Sequence, residues 1–193
     1  MKRLLAVLFI GAVAMSFAGC TPILLHNQLI PEFKPPADQA LCVVIRPVAV
    51  MGSAFIPVYL DTQYVGGTEG NTVLSFPVPP GEHMVIADAT NQSKVKFNFK
   101  PGKTYYIAQT VVTIDASFVV INTSTFTLKN GSDALAMING ERGKSTWVQP
   151  NPAVPQENLS ASKLAEARRD WAEWAAKPEN AKSAREELEY PGY

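Results

Sequence analysis

Between residues 94 and 100 the chain alternates strictly, KVKFNFK, with Val95, Phe97 and Phe99 on one side of an extended backbone and Lys94, Lys96, Asn98 and Lys100 on the other. A period of two predicts a half-buried antiparallel strand with one wet face. Upstream, ALCVVIR (40–46) reads as a buried run that stops at Pro47. TVLSFPV (72–78) is interrupted by Ser75 before Pro79-Pro80-Gly81, and HMVIADA (83–89) begins a further strand. FIPVYLD, then Thr62-Gln63, then YVGG reads as a hairpin turning near Asp61 to Gln63. Pro101-Gly102 turns the chain again: proline presets the first central residue of a type II turn, and glycine takes the positive φ of the second. Many short strands punctuated by proline and glycine, with no long helix between them, predict a mainly β fold. The expected architecture is an antiparallel β-sandwich over residues 40–139, with SDALAMIN (132–139) as a short closing helix.

The flanks follow other rules. Residues 20–39 contain Pro22, Pro31, Pro35 and Pro36 and keep no sustained period, which reads as an extended tether. Residues 140–159 read as a linker. Residues 160–193 change to helical spacing and form an amphipathic helical tail. In SKLAEARRDWAEWAAK, Leu164, Ala167, Trp171, Trp174 and Ala175 share one face, and Glu166, Arg169, Asp170 and Glu173 share the other. Pro178 ends this helix and suits the first turn of a second one in ENAKSAREELEY. Two tryptophans on one face need cover, and two readings stand open: they pack on the chain's own sandwich, or Trp171 and Trp174 bind a partner protein or a membrane surface. The polar face is mixed in charge rather than basic, which argues against anionic lipid.

The first twenty residues address the question of location. Lys2 and Arg3 precede an apolar stretch from Leu4 to Val13, and small residues lead to Cys20. A basic start, a short apolar core and small residues before a cut site describe a secretory signal peptide, here residues 1–19. The apolar stretch is short of the roughly 20 residues a membrane-spanning helix needs. Phe17-Ala18-Gly19-Cys20 resembles the lipobox of bacterial lipoproteins, usually Leu-Ala-Gly-Cys. That resemblance implies cleavage before Cys20 and acylation of its sulfur and new amine, hence a lipid anchor in the bilayer. Thr21 stands where aspartate marks inner-membrane retention in enterobacterial-type sorting, which implies the outer membrane. The alternative is an uncleaved N-terminal helix with Cys20 incidental.

Composition narrows the chemistry. The chain has 17 basic and 17 acidic side chains and a formal net charge of zero, so it offers no basic excess for nucleic acid. With Cys20 acylated, Cys42 has no intramolecular partner and reads as a small buried hydrophobe, or otherwise as an intermolecular disulfide or reactive thiol. His26 and His83 are the two histidines. His26 lies in the tether and His83 follows a turn, so neither has a sequence partner for nucleophilic catalysis. No Cys-x-x-Cys, His-Glu-x-x-His or Gly-x-Ser-x-Gly spacing occurs, and no catalytic residue, metal site or cofactor is expected. GERGKST (140–146) ends like a P-loop, but Ile138 stands where its first glycine belongs.

VVIRP (43–47), GSAFIPVYLD (52–61), YVGG (64–67), VPPGEH (78–83) and KPGKTYYI (100–107) together resemble the bacterial lipoproteins of domain of unknown function (DUF) family 2846. The Asp-led hairpin and Pro-Pro-Gly-Glu-His turn also resemble PEGA-type surface modules. The resemblance spans residues 38–139 and implies a small secreted β-sandwich, without implying an activity. The expected function is an outer-membrane-anchored, non-catalytic binding or assembly module of the envelope, facing the periplasm. The rival expectation is a periplasmic small-ligand carrier or an envelope enzyme with a carboxylate-lined site.

Overall fold

The computed structural model describes residues 21–47, 54–116, 119–140 and 145–193. Residues 1–19, read above as a signal peptide, and Cys20 lie outside the described residues, as do positions 141–144 of the P-loop-like stretch. In chain order the elements are β1 Leu24–Asn27, β2 Ala40–Arg46, β3 Ile56–Leu60, β4 Gln63–Thr68, β5 Thr72–Val78, β6 Gly81–Asp88, β7 Gln92–Phe99, β8 Thr104–Ala116 and β9 Val119–Lys129. Helix α1 Gly131–Ile138, strand β10 Thr146–Pro150, helix α2 Ala161–Ala175 and helix α3 Ala181–Leu188 complete them. One sheet runs β1-β10-β5-β2-β8-β9 and the other β4-β3-β6-β7. Pairing is mostly antiparallel, with β10–β5 and β2–β8 parallel. The fold is the mainly β sandwich with small helices that the alternation predicts.

Burial explains the two kinds of strand. The sheets face each other across a core that includes Cys42 and Val44 of β2, Leu74 and Phe76 of β5, and Phe97 and Phe99 of β7. The opposite face of β2, Val43 and Ile45, is also buried, under Ala134 and Ile138 of α1 and beside Ile30 and Phe33. A strand covered on both faces favours a continuous apolar run, here Ala40 to Ile45, and Arg46 at its end is buried with its guanidinium donating to the Thr68 carbonyl at 2.9 Å. Cys42 is fully buried and free, and burial pushes its thiol pKa up, so it is a core hydrophobe rather than a reactive group. Helix α1 starts at a cap of ordinary type, in which the Asn130 side chain accepts from the Asp133 amide at 2.8 Å.

Two expectations need correction. The tether and the linker each contribute a strand: β1 pairs antiparallel with β10, Leu24 opposite Pro150, and β10 continues onto β5. Both strands are four or five residues long and carry no period of their own. They hold because the edge of β5 pairs with β10, which in turn pairs with β1, and because Leu24 and Val148 reach the core. The second correction concerns β7. Its inner face is buried as expected, but the lysine face is roofed by α2 and α3 rather than wet: Lys94 Nζ meets Asp170 at 2.7 Å, and its side chain is 18% exposed.

The tail is accordingly part of the folded body. Leu164 and Ala167 of α2, with Leu159 before it, bury Tyr59, Met84 and Ile86 on the outer face of the second sheet, and Trp171 packs against that cluster. Beyond α3, the Tyr190 ring lies 5.7 Å from both Phe97 and Tyr105, and its hydroxyl donates to the Lys129 carbonyl. Tyr193 then exchanges two backbone hydrogen bonds with Thr104, at 2.6 and 2.8 Å. Gly192 permits that approach: its φ is +65°, and a Cβ there would sit 2.8 Å from Lys103 Cβ.

Candidate functional site

Helix α2 crosses β6 and β7, and Trp171 at its middle separates two depressions. Ser160 starts the helix by accepting from the Lys163 amide at 3.3 Å. From there the spacing of Leu164, Ala167 and Trp171 turns one stripe to the sheet. Trp174, one turn later, stands beyond the sheet edge with its ring 6.4 Å from that of Trp171. Both tryptophans are half-buried. Of the two sequence readings, self-packing holds for Trp171, while Trp174 keeps part of its surface open beside β9.

The larger depression, about 460 Å³, lies between β7, β9 and the α2–α3 pair. Its aromatic walls are Trp171, Trp174 and Phe126; Thr125 and Gln92 supply polar edges. Ser93 also lines it, is 6% exposed, and has a hydroxyl without a hydrogen-bond partner among the described residues. Two carboxylates complete the lining, in opposite electrostatic states. The Lys94 ammonium beside Asp170 holds that carboxyl below its ordinary pKa. Glu187 on α3 is pushed upward by burial, against the pull of two donors: the Trp171 indole N–H at 2.7 Å and the Lys96 amide at 3.2 Å.

That second donor fixes which edge of β7 is open. Lys96 directs its N–H away from β6, so Lys94 and Gln92, at the same parity, also turn their backbone groups to the free edge. Glu187 thereby covers one position of an edge strand that would otherwise invite pairing.

The smaller depression, about 340 Å³, is lined by Asp61, Glu82, His83 and Arg168 on the other side of Trp171. His83 Nδ1 lies 2.7 Å from Asp61 Oδ2, and Arg168 Nη2 donates to Asp61 Oδ1 at 3.2 Å. Asp61 takes the left-handed conformation, φ 52°, at the β3–β4 turn, and its Oδ1 also accepts from the Met84 amide at 3.3 Å. Lys96 reaches Glu82 at 2.7 Å with its ammonium 5.1 Å from the Trp171 ring centroid. This cluster ties hairpin, sheet and helix together. Sequence reasoning missed the Asp61–His83 pair because the residues are 22 apart and meet only through β3–β6 pairing. The signal available was the turn position of Asp61, whose strand had to find a neighbour. His26, on β1, meets Glu69 at 3.3 Å, so the two histidines stand at separate places. Among the described residues, no group of three or more His, Cys, Asp or Glu is placed to hold a metal ion.

The state of Glu187 has a measurable consequence. Its folded pKa lies above the ordinary 4.5, so the folded chain binds that proton more tightly than the unfolded chain does. Its contribution to stability is therefore full below the ordinary value and is lost as pH rises through the folded value. Glu187→Gln mimics the protonated form. Calorimetric melts from about pH 4 to about pH 7 should show wild type losing stability relative to this variant. Parallel curves would show that the carboxyl is not perturbed.

Comparison of the chain with protein-family models, with curated proteins and with solved structures returns no match, so the groove and its chemistry are read from this molecule alone.

Proposed function

We propose that this protein is a bacterial envelope lipoprotein, anchored to the outer membrane through acylated Cys20, whose folded part is a non-catalytic module that binds an envelope component in the groove between β7, β9 and α2–α3. The observation that carries the binding half is the groove itself: half-buried tryptophan faces beside a serine hydroxyl that has no partner among the described residues. The anchoring half rests on the lipobox-like Phe17-Ala18-Gly19-Cys20 and on the turn motifs that resemble the DUF family 2846 lipoproteins.

One observation favours a second reading, an envelope enzyme. Asp170 and Glu187 share the groove with their pKa values moved in opposite directions, the pattern of an acid and base pair. The engagement of Glu187 by two donors and of Asp170 by Lys94 weighs toward the binding module.

Metabolic labelling with an alkyne fatty acid tests the anchor. Cys20→Ser should lose the label entirely and accumulate as unprocessed or mis-cleaved precursor. Equal labelling of the variant would remove the anchor and the localisation together. A photo-crosslinking residue at position 174 tests the groove in intact envelopes, where a single discrete adduct is the expected result.

A further inference from the structure

The chemistry of the groove narrows what it would hold, on the assumption that it is the binding site proposed above. Its charges are already matched within the fold. Lys94 pairs with Asp170 at 2.7 Å, and Glu187 accepts from Trp171 and from the Lys96 amide. Among the described residues, the cations nearest the indole rings, Lys94 and Lys96, are engaged by Asp170 and Glu82, so a phosphate or carboxylate ligand would compete with those pairs, and a cationic ligand would compete with Lys94 for Asp170. A wholly apolar chain would cover the exposed Thr125 hydroxyl and the Asp170 carboxylate with hydrocarbon, at a desolvation cost. A ligand suited to this lining is uncharged, has flat apolar faces for indole rings, and carries groups that both donate and accept.

We propose that the groove binds a neutral saccharide, with a sugar ring stacked on the exposed face of Trp174 and its hydroxyls bonded to Ser93, Thr125 and the outward oxygen of Asp170. Sugar rings present C–H groups on one face, which suit the negative face of an aromatic ring. Each ring hydroxyl both donates and accepts, as the mixed set of serine, threonine, amide and carboxylate groups requires. The volume, about 460 Å³, falls within the range of small-ligand pockets, on the order of 300–1,000 Å³. Ser93, nine-tenths buried in this lining with a hydroxyl unpartnered among the described residues, would gain a hydrogen bond.

The competing occupant is an extended peptide that adds a strand to the free edge of β7 at Gln92 and Lys94. It needs backbone pairing but makes no particular use of Ser93 or of the outer face of Trp174, so mutation separates the two.

The test uses the full-length protein, purified in a zwitterionic detergent without a sugar headgroup, in a Trp147→Phe background. Tryptophan fluorescence is followed during titration with tetrasaccharides of β-1,4-linked N-acetylglucosamine, β-linked glucose and α-linked glucose. The expected result is a saturable change with at least one of them, weakened about tenfold or more by Trp174→Ala. Thr125→Ala, at an exposed position where folding is not at stake, should weaken it severalfold. Circular dichroism melts of both variants identify any loss that comes from unfolding. If no tetrasaccharide binds while the position-174 crosslinker captures a protein or peptide, the groove is a binding site and the saccharide assignment is wrong. If neither occurs, both the saccharide and the groove fail. Saccharide binding that survives both substitutions would also overturn the proposal, by placing the sugar elsewhere.

Discussion

Replacing Phe97 by alanine should lower the stability of this protein by about 3–5 kcal/mol, the range for truncating a buried aromatic. The ring is fully buried and sits at the centre of an aromatic cluster. Its centroid lies 5.1 Å from Phe99, 5.3 Å from Tyr105 and 5.7 Å from Tyr190, all in tilted or edge-on geometry. Those three neighbours come from β7 itself, from the facing sheet and from the chain beyond α3. A void there cannot be closed by moving one element without breaking the other contacts, which places the cost toward the upper part of the range. Lys94→Ala, on the opposite face of β7, is the control. It removes an ion pair whose acidic partner is 42% exposed, and pairs of that kind contribute about 0–1 kcal/mol. Denaturant titration of both variants checks the order, and a Lys94 effect exceeding that of Phe97 would mean that the faces of β7 are assigned the wrong way round.

The inner face of β7 was legible because alternation is local: three apolar residues two apart cannot share a face except in a strand. The hairpin at Asp61, the helix at Gly131–Ile138 and both tail helices were legible for the same reason, each carrying its own turn residue, cap or 3.6-residue stripe. Strands β1 and β10 were not. LLHN and TWVQP are too short to show a period, and their extended conformation is imposed from far off in the sequence: the edge of β5 pairs with β10, and β10 in turn pairs with β1. The covering of Lys94 and Lys96 was illegible for a related reason. Lysine stems lie along apolar surface and carry their charge to its rim, so a roofed lysine face and a wet one look alike in a sequence.

The candidate site shows the same division. Trp171 and Trp174 announced themselves by type and spacing. Glu187, Ser93 and Phe126 did not, since they come from three separate elements and nothing in the local sequence of any of them points to the other two. Asp170 was read as part of a solvated helix face, whereas the strand it meets across Lys94 makes it a groove wall.

Removing residues 160–193 should have the other large effect, because the tail covers the second sheet rather than trailing from it. The truncation uncovers Tyr59, Met84 and Ile86, each now buried under Leu164, Ala167 and Trp171. It also withdraws Tyr190 from Phe97 and Tyr105, and Tyr193 from its two backbone bonds to Thr104. The cross-links Lys163–Asp88, Lys94–Asp170 and Arg168–Asp61 go with them. Full burial of one large apolar side chain contributes about 1.5–3 kcal/mol, so exposing three costs several kcal/mol before the aromatic contacts are counted. For a chain of this size each kcal/mol moves the midpoint by about 2–4 °C, and the melting temperature should fall by at least about 10 °C. The newly bared apolar face should also make the shortened protein self-associate. The intact chain, in a Trp147→Phe background, should emit blue-shifted fluorescence from Trp171, whose indole is packed on the sheet and hydrogen-bonded to Glu187. A truncated protein that melts like the intact one, together with red-shifted emission from the intact chain, would show that α2 does not rest on the sandwich in solution, and the groove between them would go with it.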